Sequence, residues 1–141
     1  LRNISASVFF GGDPASPDTY QKFYTDIEMY TNGFSGTDPE TYMSNWTCSE
    51  MAQKANKWGG NNMPRWCNAD YDKLSAEMSQ TSAFEDRIKL AKTMNDMLMQ
   101  DYAMIPLIYR GQVSGKANSL KGVWMNGWDA ETWNIADWER Q

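Results

Sequence analysis

The chain has 141 residues, 41% of them hydrophobic, a net charge of −5 and no histidine. That length suits one globular unit with a single core, and the acidic balance with scattered Lys and Arg offers no electrostatic footprint for nucleic acid or an anionic membrane surface. Without histidine the commonest general base and the commonest transition-metal ligand are missing, which argues against triad hydrolases and zinc enzymes and leads us to expect no cofactor.

The first stretch, "ISASVFF", has the composition of a strand already under way at Leu1, which predicts that an N-terminal portion, with any signal peptide or earlier domain, has been removed. Gly11, Gly12, Pro14 and Pro17 then make a turn-rich segment. From Asp18 as N-cap, Tyr20, Phe23, Tyr24, Ile27 and Tyr30 recur at helical spacing and predict a helix that Asn32 and Gly33 stop. A second, short helix is expected at "TDPETYMSNW", with Asp38 as cap and Pro39 at the first helical position. Asn68 opens a third with Tyr71, Leu74 and Met78 on one face. The longest follows from "SAFE", a capping-box pattern of Ser82 and Glu85, with Phe84, Ile88, Ala91, Met94, Leu98 and Tyr102 as one core stripe. "AMIPLIYR", carrying Ile105, Leu107 and Ile108, has the pattern of a buried strand, so the order strand, helices, strand predicts an α/β fold. The remainder, 111–141, is turn-rich, holds four tryptophans, and is expected as a return segment packed on a core formed by 1–110. No apolar run approaches the roughly 18 to 20 residues that cross a bilayer as a helix, so a soluble chain is expected.

The only cysteines, Cys48 and Cys67, bracket an aromatic and amide-rich segment containing Trp58 and Trp66. They are too far apart for a C-x-x-C pair and have no His or further Cys to complete a metal site. A disulfide in an exported protein is the expectation, with two separate buried thiols as the alternative. "GGDP" lacks the spacing of a nucleotide-binding loop, and Asp13, Asp18 and Asp38 each precede a proline or a helix start, where capping and turn chemistry account for them.

Taken together, "FFGGDPASPDTYQKFYTDIEMYTNG", "TDPETYMSNW", "NKWGGNNMPRWCNADYDKL", "RIKLAKTMNDMLMQDYAMIPLIYR", "GQVSGKANSLKGV" and "NGWDAETWNIADW" resemble, in order and spacing, the C-terminal part of bacterial extracellular solute-binding proteins of family 5, the peptide, oligopeptide and nickel type receptors of ABC importers. The resemblance implies part of the C-terminal lobe of a two-lobe type II periplasmic-binding-protein fold, with the N-terminal lobe missing, a peptide or other small polar solute held between the lobes, and an importer permease as partner. It implies a periplasmic or extracellular location and no enzymatic activity. In peptide-binding members an aspartate shortly before the Asp-Pro or Glu-Pro pair holds the ligand's α-amine; the matching position here is Ser35. This departure weakens the case for peptide specificity and leaves a neutral site in which Asn32, Phe34, Ser35 and Thr37 would meet a polar ligand. The Cys48–Cys67 staple would then hold Trp46 and Trp58 near the cleft or hinge, or simply anchor the loop to the core.

Two other functions compete with this reading. One is a secreted carbohydrate-binding module with a tryptophan stacking platform; the other is a hydrolase fragment using Asp13 and Asp38 as a carboxylate pair. Under the receptor reading the exposed cleft face and the tail from Gly122 to Trp138 are expected to drive self-association.

Overall fold

The computed structural model describes residues 1–13, 16–33, 37–111, 113–127 and 129–141. The chain divides into two compact units, Leu1–Gly33 with Pro39–Ile105, and Phe34–Asp38 with Pro106–Gln141.

The first unit is built on two helices. Helix α3 spans Ala69–Gln80, and its start follows from local chemistry: the Asn68 side-chain oxygen accepts from the backbone N–H of Asp70 at 2.9 Å and of Tyr71 at 3.3 Å. Asp70 and Asp72 in the first turn complement the helix dipole. Helix α4 spans Phe84–Gln100 but starts at Ala83 without a side-chain cap, so the expected Ser82–Glu85 capping box does not form. Arg87 supplies closure instead. Its Nη1 donates to the carbonyls of Met78 and Thr81 at the end of α3, each at 2.7 Å, and its Nη2 pairs with Glu40 at 2.7 Å. Tyr71, Met78, Met94 and Leu98 meet with Trp46 as the buried core, with Leu74 and Ala91 packed partly buried against it. The expected stripe along α4 frays at both ends, where Phe84 and Tyr102 are exposed.

Two shorter helices precede this pair. Helix α1, Ala6–Phe9, stands where a strand was expected, because among the described residues no segment offers "SVFF" a ladder and its backbone closes on itself, Phe9 N–H to Ser5 at 2.9 Å and Phe10 N–H to Ala6 at 2.9 Å. Helix α2, Glu40–Met43, begins one residue later than the Asp-Pro signal placed it: Pro39, expected at the first helical position, occupies the N-cap position instead. The helix expected from Asp18 to Tyr30 is reduced to one 3-10 turn, Tyr20–Lys22, which ends at Phe23 in the left-handed conformation, φ 41°. The aromatic residues behind that expectation pack as a local cluster in which Tyr20 and Tyr30 stand 5.5 Å apart and each contacts Phe9 and Phe10. Tyr24 and Ile27 are exposed.

In the second unit, β1 (Leu120–Lys121) pairs antiparallel with β2 (Glu139–Arg140), Leu120 opposite Arg140. Gly122, at φ 78°, lets the chain turn where a Cβ would meet the Asp137 carbonyl oxygen at 2.1 Å. Buried Asn134 closes the unit, donating to the Gly122 carbonyl at 2.7 Å and accepting from the Trp138 indole at 3.0 Å. The expected strand around Ile105, Leu107 and Ile108 is absent: those side chains are exposed and their backbone joins no ladder among the described residues. The described fold is thus mixed helix and strand, with helix predominating and one short sheet. No helix among the described residues is long and apolar enough to cross a membrane.

Candidate functional site

Cys48 and Cys67 are joined in a disulfide with Cα atoms 4.7 Å apart, within the usual range for the bond. The bond is compatible with an oxidising, exported location. Inside the loop it closes, Asn62 is fully buried and its amide donates to three carbonyls, those of Trp46 and Thr47 at 3.1 Å and Trp66 at 2.7 Å. The loop crosses itself where Met51 and Asn62 form an isolated bridge. Gly60 makes the crossing possible, since a Cβ there would lie 2.0 Å from the Glu50 carbonyl oxygen. Asp72 ties α3 to the staple by accepting from the Cys48 N–H at 3.0 Å.

Beside the core, the first unit carries a partly open pocket of about 160 Å³ whose lining includes Phe23, Glu28, Tyr30, Asn32, Tyr42 and Trp46, with methionine, proline and aliphatic carbon completing the wall. Trp46 comes to it from the 3-10 turn after α2 and stands edge-on to Tyr42, ring centroids 6.0 Å apart. The Tyr42 hydroxyl donates to the Met104 sulfur at 3.7 Å. Burial raises the Tyr42 phenol above its ordinary pKa, a rise that the nearby Trp46 indole opposes. Burial, with smaller contributions from Tyr20, Glu28 and Tyr42, pushes Tyr30 up to about 12.

Glu28 is the charged member of the wall. One of its carboxylate oxygens, Oε2, is shut off from solvent without a hydrogen-bond partner. Desolvation pushes the group up to about 7, against the opposing pull of Arg65. Arg65 cannot close on it as an ion-pair partner, because its guanidinium is engaged elsewhere. Nε donates to the Ala52 carbonyl at 2.7 Å, Nη1 to Phe23 at 3.4 Å and Nη2 to Lys22, while the group lies 5.4 Å from the centre of the Trp58 ring.

Of the residues expected to meet ligand, Asn32 and Trp46 line this cavity together. Trp58 is placed elsewhere: it carries Arg65 on its face, meets Tyr24 edge-on at 5.9 Å, and follows Lys57 in the left-handed region at φ 64°. Thr37 is exposed and belongs to the second unit; Phe34 and Ser35 lie outside the described residues. Glu28, Tyr30 and Tyr42 were not singled out as ligand-facing from the sequence. The aromatic and amide bias around them was the available signal, whereas the character of Glu28 depends on burial that the sequence does not display. Among the described residues no three His, Cys, Asp or Glu side chains converge as a metal site. Comparison of the chain with family models, with curated proteins and with solved structures finds no match.

Proposed function

We propose that the chain is a non-catalytic solute-capture element, part of the C-terminal lobe of a family 5 receptor. In this reading it holds a peptide-related or other small polar solute against an N-terminal lobe and delivers it to an ABC importer permease, in the periplasm or outside the cell. The observation that supports the reading most is the meeting of Asn32 and Trp46, one amide and one indole, on a single aromatic-walled cavity. Such mixtures of apolar body and few polar groups are what small-molecule sites are made of. The Cys48–Cys67 staple fits export. The pocket is smaller than a usual whole-ligand site, which suits one end of a solute whose remainder the other lobe would cover. Calorimetric titration of the 141-residue chain with dipeptides, tripeptides and small sugars tests the reading. Saturable binding that Asn32→Ala weakens, with near-UV circular dichroism unchanged, is expected; absence of heat with every solute overturns it.

A second reading, the secreted carbohydrate-binding module, is favoured by Trp124 and Trp133, which are exposed and joined by an indole hydrogen bond to the Trp124 carbonyl at 2.9 Å. Oligosaccharide binding abolished by Trp124→Ala but not by Asn32→Ala is the outcome that selects it.

A further inference from the structure

We propose that the cavity of the first unit is an ammonium site, in which the Glu28 carboxylate and the rings of Tyr30, Tyr42 and Trp46 receive the cationic head of an amine-bearing solute. This rests on the reading of that cavity as the ligand site and adds the chemical class of what enters it.

Size sets the first limit. About 160 Å³ is close to the volume of an engineered apolar cavity that admits one benzene-sized molecule, so the cavity takes a head group and leaves the rest of the solute outside. The wall sets the sign of the charge. Among the described residues its lining holds one carboxylate and no cationic side chain, and Arg65, the guanidinium that acts on Glu28, spends its donors on backbone carbonyls and its face on Trp58. An anion would meet Glu28 unscreened, and a neutral guest, even one whose hydroxyl reached the buried Oε2, would leave the carboxylate charge uncompensated. A cation answers both difficulties: it neutralises a carboxylate that desolvation already disfavours, and the electron-rich rings attract it.

The same wall weighs against general acid–base work by Glu28. The other titratable groups lining the cavity are Tyr30 and Tyr42, both pushed further from neutrality, so no second group is poised to exchange a proton with it.

The test uses three compact probes of similar shape and different charge: tert-butylammonium, tert-butanol and pivalate. Each is titrated into the intact chain at pH 8 and constant ionic strength, followed by calorimetry and by tryptophan fluorescence. The ammonium probe is expected to bind at least about tenfold more tightly than the other two, and Glu28→Gln is expected to remove most of that preference. Glu28→Asp, which keeps the charge and shortens the arm, should retain part of it, separating loss of charge from a general disturbance of the wall. Equal binding of all three probes, unchanged by Glu28→Gln, overturns the ammonium assignment while leaving the cavity as a ligand site. Binding of none of them, with no solute in the peptide and sugar titrations either, overturns the cavity reading itself.

Discussion

At the scale of single residues, Glu28 is the carboxyl group, among the described residues, pushed furthest from its ordinary value. Its carboxyl is half-buried, lacks an ion-pair partner and is pushed from an ordinary value near 4.5 up to about 7, with desolvation outweighing the attraction of Arg65. Because the folded pKa lies above the unfolded one, the native state holds the proton more tightly between those values. Stability is therefore highest below about pH 4.5 as far as this group is concerned, and falls as pH rises toward 7. Solvent screening limits the effect to about 1 kcal/mol. Tyr30 and Tyr42, whose phenols burial raises, stay protonated throughout that window, so neither masks the trend. Urea midpoints measured from pH 4.5 to 8 are expected to decline for the native chain relative to Glu28→Gln, which cannot ionise. Parallel profiles for the two proteins contradict the burial assigned to Glu28.

At the scale of elements, α3 and α4 show how a helix start can rest on a side chain or on a neighbour. Asn68 satisfies two backbone donors of α3 directly, so Asn68→Ala is expected to cost about 1 kcal/mol in chemical denaturation. Ser82→Ala should change stability by less than about 0.5 kcal/mol, because Ser82 makes no cap and Arg87 bridges the gap between the helices. Equal losses for the two substitutions are the result that rejects this assignment. These helices were legible in the sequence because the determinants are local: an Asn before an acidic turn, and apolar residues three and four apart that become Tyr71, Met78, Met94 and Leu98 in the core. The aromatic run from Tyr20 to Tyr30 carries the same spacing and does not form a helix. Its side chains find a better partner in Phe9 and Phe10, and Phe23 turns the backbone out of the helical region. Strand character at Ile105, Leu107 and Ile108 was equally clear and equally insufficient, since a strand exists only against another strand. The candidate site divides along the same line: Asn32 and Trp46 were singled out through the family resemblance and both line the pocket, whereas Glu28 became informative only once its surroundings were known.

At the scale of the whole molecule, the apolar surface left uncovered is the property that governs behaviour in solution. Leu107, Ile108 and Tyr109 are 68%, 85% and 91% exposed in consecutive positions, and their backbone pairs with no strand among the described residues. Such a run combines apolar area with unused backbone donors and acceptors, the two features that make one chain a template for another. The net charge of −5 opposes association, and that opposition weakens as salt shortens the screening length to roughly 3 Å at 1 M. Self-association is therefore expected to grow with protein concentration and with added salt, both measurable by sedimentation velocity. Substituting Leu107 and Ile108 together with glutamate takes the net charge from −5 to −7 and places two charges inside the run. A monomeric boundary at all concentrations is then expected. Lysine at the same positions is the weaker remedy, because it brings the net charge down to −3 while interrupting the run. If glutamate and lysine suppress association equally, the apolar run governs and net charge is secondary. If neither suppresses it, the contact lies elsewhere, and Trp124 and Trp133, also exposed, become the positions to substitute next.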